Sequence, residues 1–223
     1  MGRILKPMVR GGGWYPSKKW IPLVKNGGYT TQNGGNEESL PEGYTEVVGL
    51  SFNSDCYFVI TDLKLKGSDT VRFSMIPRIA CNVFGCYMTS DADNNYSLYV
   101  STANNAKYLR YDGSTYKSKF ASGDLGQRYD ISITPTGSYG FPEGQDDTWT
   151  EATFEASTDM CIGTTATNAS SAKFKGDLIG NFVVDGRFNG IPCKRDSDDA
   201  LGYYDLVSGT FYEPASGTPT VVS

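Results

Sequence analysis

Glu151 and Glu155 are separated by Ala152-Thr153-Phe154, so on a strand the two-residue alternation would set Glu151, Thr153 and Glu155 on one face. Two carboxyl groups about 5 Å apart are what retaining glycoside hydrolysis uses. The run is nevertheless expected to be a solvated polar face. Nucleophilic catalysis assisted by histidine is excluded outright: the 223 residues contain no histidine, and neither a G-x-S-x-G elbow nor a phosphate-binding loop occurs. Asp91, Asp93, Asn94 and Asn95 form an oxygen-rich run that could hold calcium. It opens like an EF-hand loop, but Tyr96 stands where the sharp-turn glycine belongs and Thr102 where the bidentate glutamate belongs, so a plain polar turn without metal is expected.

Three aromatic residues, Tyr139, Phe141 and Trp149, lie in or beside the run GSYGFPEGQDDTW, whose glycines, proline and acids keep it at the surface. They could stack against sugar rings, or they could form a lid over one end of a core. The five cysteines, Cys56, Cys81, Cys86, Cys161 and Cys193, are scattered through strand-like sequence and read as buried thiols. Cys81 and Cys86 could pair or bind zinc, but zinc would need two further ligands and no histidine exists to supply them. No cofactor is expected.

Positioning these side chains falls to strands. From Leu40 onward, β-branched and aromatic runs at 56–61, 70–76, 96–100, 107–111, 115–120, 129–134, 153–155, 160–163 and 178–184 alternate with turn signals such as Gly67-Ser68-Asp69, Asp112-Gly113 and Asp185-Gly186. With 26 glycines and no long amphipathic run, the pattern predicts an all-β, antiparallel two-sheet sandwich. Near the end, a strand at 201–207, the turn Ser208-Gly209 and a strand at 210–213 predict a hairpin. The acidic turn before it, Asp196, Asp198 and Asp199, is flanked by Lys194 and Arg195, which offset its charge, and a structural role is expected for it.

Charge divides the chain. Residues 1–36 carry Arg3, Lys6, Arg10, Lys18, Lys19 and Lys25 and no acid; Glu37 and Glu38 then subtract two, so a net charge of −5 leaves −9 for residues 39–223. The basic segment is Gly-rich and also holds Trp14, Tyr15 and Trp20, so alone it cannot bury enough apolar surface to offset its ordering entropy. It is expected to be a partner-binding arm with Arg3, Lys6, Arg10, Trp14, Tyr15, Lys18, Lys19 and Trp20 as contacts, and its sparse charge favours a protein over nucleic acid. No run approaches the roughly 18 apolar residues of a membrane span, and the first residues lack a signal-peptide core, so a soluble chain without a cleaved signal is expected.

Two segments go further. Leu40-Pro41-Glu42-Gly43-Tyr44-Thr45-Glu46-Val47, and the closing NGIPCKRDSDDALGYYDLVSGTFYEPASG from Asn189 to Gly217, resemble the opening and closing motifs of a concanavalin-like (laminin-G-like) jelly-roll domain widespread in proteins of phages and prophages of gut bacteria. The resemblance is strongest over 40–47 and 160–217, and the family's usual continuation after the opening is replaced here by Val48 to Asp55. It implies a jelly-roll sandwich over residues 40–219, an extended arm over 1–39 and a short tail over 220–223. It also implies a non-enzymatic virion structural protein, a capsid decoration or head-fibre component at the virion surface. Such a protein would be made in the bacterial host cytoplasm, be homo-oligomeric and contact capsid or other virion structural proteins. The alternative is a glycan-binding adhesion module of tail-fibre or receptor-binding type, facing bacterial-surface or mucin glycan through Tyr139, Phe141 and Trp149. A glycosidase ranks last, because the acidic triplet of the related glucanases is missing.

Overall fold

A computed structural model describes residues 23–25, 28–30, 39–53, 55–79, 81–86, 95–101, 105–110, 116–118, 125–142, 147–151, 153–166 and 173–223. The chain divides into two compact units, Met1–Glu37 and Glu38–Ser223. In the first, β1 (Leu23–Lys25) and β2 (Gly28–Thr30) pair antiparallel with Leu23 opposite Thr30. Asn26-Gly27 stands between them in the sequence. The arm contacts expected at Arg3, Lys6, Arg10, Trp14, Tyr15, Lys18, Lys19 and Trp20 lie outside the described residues.

The second unit carries β3 (Tyr44–Glu46), β4 (Gly49–Phe52), β5 (Phe58–Ile60), β6 (Val71–Pro77), β7 (Cys81–Cys86), β8 (Tyr96–Ser101), β9 (Asn105–Arg110), β10 (Tyr116–Ser118), β11 (Tyr129–Thr134) and β12 (Gly137–Tyr139). It continues with β13 (Asp147–Thr148), β14 (Met160–Ile162), β15 (Gly176–Val184), β16 (Phe188–Arg195), β17 (Leu201–Asp205), β18 (Thr210–Tyr212) and β19 (Thr220–Val221). No helix occurs among the described residues, so none there is long and apolar enough to cross a membrane. Six strands form one antiparallel sheet in the order β10-β9-β8-β7-β14-β5. A longer sheet runs β13-β12-β11-β6-β15-β16-β17-β18, with β4, β19 and β3 attached beside β15 and β16. The all-β, two-sheet antiparallel sandwich is therefore present; hairpin-linked runs such as β7-β8-β9-β10 and β15-β16-β17-β18 are joined by long-range pairs such as β7-β14, β6-β15 and β3-β16.

Alternation makes the core. Along β6, Val71, Phe73 and Met75 are buried while Arg72, Ser74 and Ile76 between them are half-buried, the period expected of a strand with one face on a core. Phe73 stacks on Phe182 of β15 at 5.0 Å, and Phe84 from the opposite sheet meets both edge-on at 5.3 and 5.4 Å. Toward the other end, Phe58 meets Phe52 at 5.8 Å and Tyr203 at 5.1 Å. These rings bridge the two layers of the core.

Several elements differ from the expectation, among them the short strands β3, β4, β12, β13 and β19, which no expected run covers. Residues 153–155 are not a strand; Glu155 makes an isolated bridge with Lys66, and the backbone of Phe154 and Ala156 bonds instead to Gly67 and Leu65. Conversely, β7 and β16 carry no strong strand signal, because asparagine, glycine and proline interrupt them. Pro192 is tolerated inside β16 because of where it falls. On one side β16 pairs with β15 through Phe188–Gly190 and with β3 through Cys193–Arg195, and Pro192 stands in the gap between these two ladders. There its carbonyl accepts from the Val47 N–H at 3.0 Å, while the N–H it lacks leaves the reciprocal bond unmade and the β3 ladder stops at Cys193. A similar exchange occurs at Gly180, whose φ of 65° suits glycine: residues 176–179 of β15 lie against β4, and from Phe182 onward the neighbour is β16.

The two motifs at opposite ends of the domain meet in this sheet. Tyr44, Thr45 and Glu46 pair with Arg195, Lys194 and Cys193. On the outer face, Tyr44 packs on Tyr204 at 4.8 Å and on Phe211 at 5.3 Å, and the Arg195 guanidinium lies over the Phe211 ring at 4.9 Å. Arg195 also bonds both oxygens of Asp198 and one of Glu213, holding Asp198 below the usual carboxylate range. Lys194 pairs with Asp199 at 2.8 Å, and Asp196 accepts from the Thr45 hydroxyl at 2.8 Å. The acidic turn is thus a clasp, its charges committed to its own flanks.

Candidate functional site

Among the described residues no group of three or more acidic or cysteine side chains could hold a metal ion. Asp91, Asp93 and Asn94 lie outside the described residues, and Asn95 is buried where β8 begins. Glu151 and Glu155 are both exposed and off any regular strand, and Glu155 pairs with Lys66 at 3.5 Å. Cys56, Cys86, Cys161 and Cys193 are buried free thiols, each pushed up to about 12 chiefly by burial; the side chain of Cys81 lies outside the described residues. A thiol held in its neutral form is a poor nucleophile and a poor metal ligand.

The aromatic trio separates. Phe141 is 8% exposed and belongs to the core. Trp149 packs partly against that core, and its indole N–H donates to the Pro135 carbonyl at 3.0 Å. Tyr139 alone of the three stands out in solvent, at 41% exposure. Phe141 and Trp149 therefore brace this end of the sandwich, and the only stacking face the trio offers is that of Tyr139.

Strand register gives Tyr139 its company. Its partner across β11 is Ser132; Ser132 faces Arg72 of β6; Arg72 faces Val183 of β15; Val183 faces Asn189 of β16. Because Ile131, Ile133, Val71, Phe73, Phe182 and Val184 turn to the core, this row lies on the outer face of the longer sheet. Neighbouring residues fix the polar groups in place. Arg72 bonds Asp185; Asp130 accepts from the Ser74 hydroxyl at 2.6 Å and from Arg128 Nε at 3.1 Å; Asn181 donates to the Asn189 side chain at 3.0 Å. The exposed ion pairs contribute little stability by themselves, with side chains 39–57% exposed. They do hold hydroxyl, carboxylate, amide and guanidinium groups in defined positions beside an open aromatic ring.

Chemically, such a face can stack a ring and exchange hydrogen bonds with hydroxyl groups. Sequence reading reached Tyr139 through its Gly- and Pro-rich surroundings but not Arg72, Ser132, Asp130 or Asn189. Each of those is an ordinary outward position on a strand, and only the register joins them.

No family model and no curated protein matches the chain. Among solved structures, the native heptameric SAP-like pentraxin from Limulus polyphemus matches over 62% of this chain and 76% of its own, at 18% identity and a TM-score of 0.42. Mouse laminin α1 chain domains LG4-5 match over 66% of this chain and 43% of theirs, at 13% identity and a TM-score of 0.42. Likenesses of that size carry no argument about ligand or activity, and the fold class rests on the two antiparallel sheets themselves.

Proposed function

We propose that the Glu38–Ser223 unit is a non-enzymatic binding module for carbohydrate, with Tyr139 as the stacking platform on the outer face of the longer sheet. The observation that carries this reading is the exposed Tyr139 ring at the head of a register-fixed row of hydrogen-bonding side chains. Apolar C–H faces of a pyranose suit an aromatic ring, and its hydroxyls suit serine, asparagine and the paired ions. The reading is supported against hydrolysis by the placement of Glu151 and Glu155, both exposed and off any regular strand, with Glu155 paired to Lys66. A glycan array followed by calorimetry on the best binder tests it: Tyr139→Ala should weaken binding at least about tenfold, the loss of one stacked ring, with the melting midpoint unchanged. Binding indifferent to Tyr139→Ala, or no glycan bound, would overturn it.

A second reading is favoured by the charge division and by the separation of Met1–Glu37 from the rest. On it the chain is a homo-oligomeric virion structural protein, a capsid decoration or head-fibre component, anchored by the N-terminal arm while the sandwich is displayed at the particle surface. The two readings are compatible, because an anchored sandwich can also bind sugar.

A further inference from the structure

A second feature, apolar at its base and cationic at its edge, lies elsewhere on the same unit. Where β4, β6 and β15 end, a shallow groove of ≈ 400 Å³ is lined by Ser51, Phe52, Asn53, Arg78, Lys175 and Thr220, among others. Its two cations are neighbours by construction, since the Arg78 N–H donates to the Lys175 carbonyl at 2.9 Å. Asp177, 4% exposed, accepts from Arg78 Nη2 on both carboxylate oxygens, at 2.9 and 2.7 Å. That contact aims the guanidinium yet leaves the Arg78 side chain 57% exposed, with Nε and Nη1 unmatched by any acceptor among the described residues. Lys175 likewise has no ion-pair partner among the described residues.

The charges do not balance. Two cations face the groove against one acid, which is buried and already engaged, in a body whose residues from 39 onward sum to −9. A locally positive concavity on an acidic protein focuses the field on an anion, and a guanidinium already oriented loses little freedom on binding one. Phe52 and Ile79 give the groove an apolar floor, and its other lining groups are hydroxyl and amide: Thr220 faces Ser51 and Ser51 faces Asp177 across three strands, with Asn53 beside them. Two cations less one acid match a single negative charge rather than a polyphosphate, and the hydroxyl and amide rim matches the hydroxyls of a sugar.

We infer that the Arg78–Lys175 groove binds the charged group of an acidic saccharide, a uronate carboxylate or a sulfate ester. The nature of the ligand rests on the carbohydrate-binding reading above; the position of the site is independent of Tyr139.

The test uses the full chain and three probes of equal length at low salt: a trigalacturonate, a sulfated trisaccharide and a neutral trisaccharide, titrated by calorimetry and by amide chemical shifts. Arg78→Gln would leave Asp177 buried without its partner and could unfold the end of the sheet, so the informative variants are Lys175→Gln and Arg78→Lys, checked by their melting midpoints. An acidic probe should bind, move the amides of Ser51 and Thr220, weaken with added salt and lose at least about tenfold in affinity in Lys175→Gln, while Tyr139→Ala leaves it unchanged. Whether the carboxylate or the sulfate probe binds tells which acidic group is held. Acidic probes binding no better than the neutral one, or equally well in Lys175→Gln, would overturn the site. If a neutral glycan binds through Tyr139 while no acidic probe binds, the groove fails and the module stands. If no saccharide of any kind binds, both fall.

Discussion

At the scale of single residues, burial decides what chemistry remains. Cys56, Cys86, Cys161 and Cys193 were recognisable as buried thiols from their scattering among strand residues, whereas Phe141 and Trp149 were not separable from Tyr139 by sequence. All three aromatics sit among the same glycines and acids, and only the alternation of β12, with Ser138 inward and Tyr139 outward, tells which ring meets water. The thiols give a titratable consequence. Their folded pKa values, raised to about 12 by burial, lie above the ~8.5 of an unfolded thiol, so the folded state keeps protons that the unfolded state releases between those two values. Their contribution is present in full below pH ~8.5 and is lost as pH rises toward 12. Denaturant midpoints should therefore fall between pH 8 and pH 11. A thiol-disulfide reagent at pH 8 should find at most one of the five cysteines before unfolding and all five after it. Rapid reaction of several thiols in the native protein would contradict the burial.

Elements were legible where their side chains alternate cleanly. β6 and β11 follow from apolar and polar positions two apart, the hairpin of β17 and β18 from the Ser208-Gly209 turn between two strand-like runs, and the Asp185-Gly186 turn marks the end of β15. β16 was hidden because Gly190 and Pro192 argue against a strand locally, while the fold needs Gly190 to make room for the Phe188 and Tyr203 rings and sets Pro192 at the break between two ladders. Gly202 of β17 is likewise required by its neighbours. A Cβ at that position would stand 2.4 Å from the Tyr212 carbonyl oxygen and 2.6 Å from Phe211 Cζ, so the ring that Arg195 covers lies flat against the glycine. Gly202→Ala must move a backbone carbonyl as well as a ring, and should cost about 1–3 kcal/mol, the usual range for overpacking. Chemical denaturation measures this directly. A Gly202→Ala protein as stable as the parent would show that the ring cluster of Tyr44, Tyr204 and Phe211 is looser than described.

For the whole molecule, the charge division was visible in the sequence, but the joining of Tyr44–Glu46 to Cys193–Arg195 was not, since no local rule pairs strands some 150 residues apart. The described core is built from Leu50 through Tyr203. A chain starting at Glu38 should thus keep its melting midpoint and its glycan binding, while under the virion reading it should no longer be incorporated into particles, counted as copies per purified particle. Unfolding of the truncated chain, or incorporation at full occupancy, would remove the arm from its tethering role. The meeting of the two ends also dictates how the protein comes into being. When the ribosome has delivered everything up to Val184, β3 still lacks β16, β4 lacks β19, and the apolar faces of the longer sheet have unpaired edges. Closure must await residues 188–221, so until they emerge the nascent chain carries uncovered strand edges and aromatic rings, the surfaces through which folding intermediates aggregate.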